Sequence, residues 1–176
     1  MRQPGIPRAP EARPYRADID GLRAVAVVAV VLFHALPEQL PGGFVGVDVF
    51  FVISGYLITG LLTAHLRADR FSFADFYARR IRRLFPALAT VLAATWALGY
   101  ALLFADEFAR LGRHLAGGAT FLSNALLYTE SGYFDTASAA KPLLHLWSLA
   151  IEEQFYLLWP ALLWWATRRA WPLPRC

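Results

Sequence analysis

The chain has 176 residues, of which 57% are apolar and only 17% carry a charge. This composition excludes an ordinary soluble domain and predicts a helical membrane protein, since about 20 apolar residues are enough for one span. The net charge of +4 comes almost entirely from arginines, and their short clusters favour a membrane surface or a phosphate ligand over nucleic acid. Cys176 is the only cysteine, which excludes an internal disulfide, and no metal site is expected.

Residues 1–19 contain prolines and four arginines and predict a disordered basic tail. The first span is expected at about residues 21–36, and the second at about 44–66. A loop with six arginines follows within residues 67–83. The positive-inside rule places this loop and the tail on the cytoplasmic side, with two spans between them.

A third span is expected at about residues 84–104 and a last one at about 143–166. Residues 115–128 are too short and too polar for a clear span, so we interpret them as re-entrant or as a short buried helix. A full crossing there would put the arginines after the last span outside, against the charge rule. The predicted fold is therefore an all-α polytopic transmembrane bundle with four full spans and a cytoplasmic N-terminus.

Arg23 and His34 are eleven residues apart on the first predicted helix, which places them on one face about 16 Å apart. Ionisable residues inside a membrane are functional candidates by default. An imidazole can take a proton from an attacking hydroxyl near neutral pH. The alternative is that His34 bonds a neighbouring helix while Arg23 extends to the interface.

Asp48 is the only charged residue near the start of the second span. It could cap that helix or orient His34, and the sequence does not separate these roles. Four guanidinium groups precede the third span, at Arg79, Arg80, Arg82 and Arg83. They could bind the phosphates of a ligand or simply orient the span.

A polar stripe is predicted along the last span, because its members recur every three or four residues. Its members are His145, Ser148, Glu152, Tyr156 and Trp159. Glu153 falls off this face. Glu152 could pair with an arginine, hold a histidine or make a structural bond between helices, whereas Ser148 lacks the sequence context of a nucleophile.

These segments together resemble the acyltransferase type 3 family of membrane acyltransferases. DGLRA at residues 20–24 with His34 is similar to the family's first motif, and residues 46–58 are similar to its second. Residues 76–86 resemble its basic motif, and residues 145–160 its Ser, Glu, Tyr helix. Tyr133-Phe134-Asp135 also fits the family pattern.

The resemblance implies that residues 20–170 are a partial family domain, followed by a C-terminal tail at 171–176. It implies that His34 is the general base or carries the acyl group, with Arg23 as its partner and Glu152 as a further catalytic candidate. Arg79, Arg80, Arg82 and Arg83 would contact the donor, and Asp48, Ser148 and Tyr156 complete the motifs. Direct attack and a covalent intermediate both stay open.

The function that the resemblance implies is transfer of an acyl group, expected to be acetyl, in the bacterial inner membrane. The donor substrate would be acyl-coenzyme A, with no bound cofactor. The acceptor would be a hydroxyl of a carbohydrate or glycolipid, such as lipopolysaccharide or another polysaccharide. The competing interpretations are a proton-coupled transporter that uses Arg23, His34 and Glu152, and a truncated, non-catalytic membrane subunit.

Overall fold

A computed structural model describes residues 16–130 and 141–169. The chain divides into two compact units, Met1–Tyr56 and Leu57–Cys176. Every regular element in the described ranges is helical, which confirms the all-α prediction. The elements are α1 (Ala17–Ala35), a 3-10 turn (Gly43–Val45), α2 (Gly46–Arg67), α3 (Phe73–Leu102), α4 (Ala105–Ala119), α5 (Ser123–Glu130) and α6 (Leu146–Arg169). Residues 1–15, the predicted motif at 133–135 and the tail with Cys176 lie outside the described residues.

In the first unit, two glycines allow the start of α2 to pack directly against α1. A Cβ atom at Gly43 would lie 2.4 Å from the Ala29 carbonyl oxygen, and one at Gly46 would lie 2.5 Å from the Ala26 carbonyl oxygen. Any larger residue would collide with backbone atoms, which cannot rotate away as a side chain can. Gly46, the first residue of the predicted second motif, and Gly43 just before that motif therefore serve close helix packing.

The third helix begins eleven residues before the predicted span. Ser72 caps it by accepting a hydrogen bond from the Asp75 backbone N–H at 3.3 Å, and arginine is a good helix former. The basic segment expected as a loop is therefore helical from Phe73 onward. On this helix Arg79 and Arg83 share a face, whereas Arg80 and Arg82 project about 200° apart.

Two helices occupy the region in which one re-entrant or short helix was predicted. Helix α4 ends at Ala119, and Phe121 adopts a positive φ of 56° before α5 begins at Ser123. The left-handed residue lies in the turn that separates α4 from α5. Gly118 marks a contact with α6, because its Cβ atom would lie 2.8 Å from Leu146 Cδ1, whereas Gly117 faces Leu126 and Ser123 of α5.

Two apolar clusters hold the second unit together. One joins α2, α3 and α6 through Ile58, Leu62, Phe76 and Tyr156. The other joins α3, α4 and the start of α6 through Leu88, Leu111, Leu143 and Leu146. Helix α6 contributes to both clusters, and its position is therefore set along most of its length.

Two helical segments, Gly43–Arg67 and Phe73–Leu102, are long and apolar enough to cross a membrane. Only 17% and 11% of their apolar windows are buried within the structure, unlike the core helix of a soluble protein. They correspond to the predicted second and third spans. The spans predicted in α1 and α6 do not meet the same combined test of length, hydropathy and charge among the described residues, and remain predictions.

Candidate active site

The His34 side chain is fixed by the backbone of its own helix. Its Nδ1 lies 2.8 Å from the Val30 carbonyl oxygen. A carbonyl can only accept, so the hydrogen of this bond belongs to Nδ1 and the neutral ring keeps its lone pair on Nε2. The ring also packs edge-on to Phe33, with centroids 5.3 Å apart. His34 is exposed in the structure, so Nε2 is accessible to a substrate.

Arg23 lies on the same continuous helix as His34, as predicted. Its guanidinium is 3.7 Å from the Asp20 carboxylate, and both side chains are about half exposed. A screened surface pair of this kind contributes little to stability, so a ligand anion can compete for Arg23. Asp48 is exposed in the first turn of α2, where the helix dipole stabilises a negatively charged carboxylate. No hydrogen bond joins it to His34 within the described part of the first unit.

In the second unit, Arg80 pairs with Glu153 rather than pointing into solvent. Both nitrogens of its fork donate to the carboxylate, with Nε to Oε2 at 3.3 Å. The Arg80 and Glu153 side chains are only 25% and 13% exposed, so each neutralises a charge that would otherwise be costly to bury. The guanidinium carbon also lies 3.3 Å from the centre of the Tyr156 ring.

The Tyr156 hydroxyl donates to Glu152 Oε1 at 2.7 Å. Arg80, Glu153, Tyr156 and Glu152 thus form one connected set between α3 and α6. The predicted neighbourhood of Glu152 and Tyr156 along α6 is confirmed. Sequence reasoning missed Glu153, and the signal that could have found it is that a carboxylate within a predicted span needs a cationic partner.

An open cavity of about 400 Å³ lies beside this set. Apolar side chains of α3, α6 and the turn between α4 and α5 form most of its wall, and Arg80, Glu153 and Gln154 supply its charged and amide groups. Gln154 is fixed by a reciprocal amide pair with Asn124 at 3.1 and 3.0 Å, and it also donates to the Phe121 carbonyl at 2.8 Å. Such a cavity can hold an apolar group next to a fixed polar edge.

A smaller, polar cavity of about 90 Å³ lies where α2 is followed by α3. Two guanidinium groups line it, those of Arg70 and Arg79, together with His65, Ser72 and Asp75. The His65 Nδ1 lies 2.9 Å from the Leu61 carbonyl oxygen, which leaves Nε2 to face a ligand. The concentration of guanidinium groups suits an anion.

The remaining predicted residues lie elsewhere. Arg82 donates to the Ala78 carbonyl of its own helix at 3.2 Å, and Arg82 and Arg83 are exposed and line neither cavity. Ser148 donates to the His145 carbonyl at 3.1 Å, a local bond typical of a helix start. His145 itself precedes the first residue of α6.

Comparison with known proteins decides the family. A family model described as an acyltransferase domain, that of the acyltransferase type 3 proteins, matches residues 16–175. The chain belongs to the acyltransferase type 3 family. This membership supports an enzyme that transfers acyl groups other than amino-acyl groups, and together with the apolar helices it supports a membrane protein.

Several curated relatives in this family are similar to the chain. It is 43% identical over 158 residues to the peptidoglycan O-acetyltransferase OatA of Listeria monocytogenes, covering 86% of the chain and 25% of the relative. It is 41% identical over 148 residues to the O-acetyltransferase OatA of Staphylococcus aureus, covering 83% and 24%. It is 44% identical over 152 residues to the putative peptidoglycan O-acetyltransferase YrhL of Bacillus subtilis, covering 85% and 24%. The chain spans about a quarter of the length of these relatives, and no solved structure matches it.

Proposed function

We propose that the chain forms part of an O-acetyltransferase of the bacterial inner membrane, with four full spans and its N-terminus in the cytoplasm. It transfers an acetyl group to a hydroxyl of a carbohydrate. Peptidoglycan is the proposed acceptor, because two of the similar proteins carry that word in their names and the family match covers nearly the whole chain. The alternative acceptor is a glycolipid, which the resemblance of the motifs to the family also implied.

The observation that carries the proposal is the fixed tautomer of His34. With Nδ1 held at 2.8 Å by the Val30 carbonyl, Nε2 removes the proton of the acceptor hydroxyl. The oxygen then attacks the carbonyl carbon of the acyl donor, the bond from that carbon to the donor sulfur breaks, and the imidazolium returns the proton to the thiolate. Arg23, on the same face of α1 about 16 Å away, holds an anionic part of a substrate whose reacting group lies at His34.

The donor in this proposal is acyl-coenzyme A, and the second unit offers a site for it. Arg79 and Arg70 would hold phosphate groups in the polar cavity, which His65 also lines, and the larger apolar cavity would hold a less polar part of the donor. Residues 79 and 80 are consecutive on α3, so the two cavities border neighbouring faces of one helix. Arg70 and His65 line the polar cavity together with Arg79, which the sequence predicted as a donor contact. Arg80, also predicted as a donor contact, instead pairs with Glu153.

The test is coenzyme A release from acetyl-coenzyme A by membranes that contain the chain, alone and with any coding sequence that follows it in frame, plus isolated peptidoglycan. His34→Ala should lower the rate of release by a factor of about 10²–10⁴, which is typical for the loss of a general base. Arg79→Ala should raise KM for the donor, whereas the neighbouring Arg82→Ala should raise it much less, because Arg82 lines neither cavity.

Three outcomes would contradict the proposal or part of it. Release that persists in the His34→Ala protein would remove His34 from the reaction. Acetylation of the glycan without consumption of acetyl-coenzyme A would retain the acetyltransferase but reject this donor. Proton flux without acetyl transfer would instead favour the transporter interpretation.

A further inference from the structure

Three ionisable side chains from separate segments of the second unit meet at one carboxylate oxygen. Glu130 Oε2 lies 3.3 Å from His114 Nε2 and 3.4 Å from Lys141 Nζ. His114 belongs to α4, Glu130 is the last residue of α5, and Lys141 lies shortly before α6. The side chains of both His114 and Lys141 are only 8% exposed. None of the three belongs to the motifs discussed above.

Burial makes this cluster costly unless its charges are balanced. Lysine and glutamate are almost never fully buried without a partner. Glu130 also ends a helix, where the dipole disfavours a negative charge. Lys141 offsets both effects, and His114 adds a hydrogen bond or, when protonated, a second positive charge. The three segments are therefore held together by one carboxylate.

The cluster lies at the start of the helix that carries the Ser, Glu, Tyr motif. Two residues after Lys141, Leu143 has a positive φ of 61° and is buried against Leu88, Leu111 and Leu146. A buried leucine in this conformation is strained and persists only where its surroundings hold it in place. Lys141 on one side and the packed Leu146 on the other supply that restraint.

Helix α4 also contacts the start of α6 through an apolar contact at Gly118. Gly118 follows His114 by four residues, so both lie on one face of α4. A Cβ atom at Gly118 would come within 2.8 Å of Leu146 Cδ1. From one face of α4, His114 thus contacts Glu130, the partner of Lys141, and Gly118 lies against Leu146 at the start of α6.

We propose that His114, Glu130 and Lys141 are positioning residues that fix the start of α6 and thereby the placement of Ser148 and Glu152. They contact no reacting atom. Their effect on catalysis rests on the proposed function, whereas their effect on the position of α6 does not.

The first test uses the fact that Lys141 is the only lysine of the chain. In membranes that contain the protein, an amine-reactive ester should modify Lys141 slowly, as measured by mass spectrometry of its peptide. Glu130→Gln should accelerate this modification by about tenfold, because Lys141 would lose its ion pair with Glu130. Asp106→Asn, which removes an exposed carboxylate of α4, should leave the rate unchanged. Equal rates in the wild-type and Glu130→Gln proteins would overturn the proposal.

The second test reports on α6 directly and needs no activity. Ser148→Cys in a Cys176→Ser background is labelled with a maleimide, with and without Glu130→Gln. The labelling rate at position 148 should change in the Glu130→Gln protein. A double variant that exchanges the two charges, Glu130→Lys with Lys141→Glu, should bring the rate back toward that of the protein with both native residues. An unchanged rate at position 148, with Lys141 exposed, would show that the cluster does not position α6.

The activity arm uses the same variants in the acetyl-transfer assay. Glu130→Gln should raise the KM for the donor, because α6 lines the larger cavity that is proposed to hold part of it, and Lys141→Arg should retain most activity. Wild-type protein without any acetyl transfer would refute the proposed function while the two labelling tests still decide the positioning role. A normal donor KM in Glu130→Gln, together with a changed labelling rate at position 148, would separate the cluster from catalysis and reject that part of the proposal.

Discussion

Breaking the pair between Arg80 and Glu153 should destabilise the second unit more than removing any of the other clustered arginines. Arg80→Ala removes a forked, charge-assisted contact, which contributes about 1.5–3 kcal/mol. It also removes the contact with the Tyr156 ring, worth about 1 kcal/mol. It leaves Glu153, which is 13% exposed, without its counter-charge. We therefore expect a loss of about 3 kcal/mol in the free energy of unfolding.

The assay is a double-mutant cycle with Arg80→Ala, Glu153→Gln and both together, measured by SDS-induced unfolding in detergent micelles. The expected coupling energy between the two positions is about 2 kcal/mol. Arg82→Ala is the matched control and should cost less than about 0.5 kcal/mol, because its contact lies within one exposed helix. Arg80→Lys should recover only part of the loss, since an ammonium cannot make the forked contact. A coupling energy near zero would refute the view that Arg80 is a structural partner of Glu153.

Three further predictions concern packing, the amide pair and the motif serine. Gly46→Ala should destabilise the first unit by about 1–3 kcal/mol, because the new Cβ would meet the Ala26 carbonyl oxygen. Gly55→Ala, whose Cβ would have no described atom within 4 Å, should instead stabilise the unit by up to about 1 kcal/mol. Equal effects of the two substitutions in thermal unfolding would contradict the packing role of Gly46. Gln154→Ala should cost about 1–3 kcal/mol because Asn124 and the Phe121 carbonyl lose their partner, and adding Asn124→Ala should cost little more; additive losses in the same unfolding assay would speak against the pair. Ser148→Ala should reduce acetyl transfer by less than about tenfold, since its hydroxyl bonds only the local backbone in the described contacts; a loss as large as that of His34→Ala would make Ser148 a reacting group.

The sequence predicted the helices well because apolar length is the strongest signal in such a chain. The residues expected at 21–36 and 44–66 fall within α1 and α2, with ends that differ by a few residues. The largest difference is the start of α3. The capping interaction of Ser72 extends the helix through the arginines, and a hydropathy pattern does not register a cap.

The candidate site could be predicted only in part. Sequence spacing predicted that Arg23 and His34 share one helix face and that Glu152 and Tyr156 share another. These predictions depend only on the geometry of a single helix. The partnership of Arg80 with Glu153 depends on how α3 packs against α6, and four adjacent arginines look alike in sequence. The cluster of His114, Glu130 and Lys141 joins three segments and has no local pattern that would reveal it.

The most direct test of the account is the amount of ester-linked acetate on peptidoglycan isolated from cells that lack their own O-acetyltransferase and express this protein. Mild alkali releases the acetate, and chromatography quantifies it. We expect acetate above the empty-vector level with the wild-type protein and none above that level with an equally abundant His34→Asn variant. Equal acetate in the two strains would contradict the role of His34, and no acetate in either, despite verified membrane insertion, would contradict peptidoglycan as the acceptor.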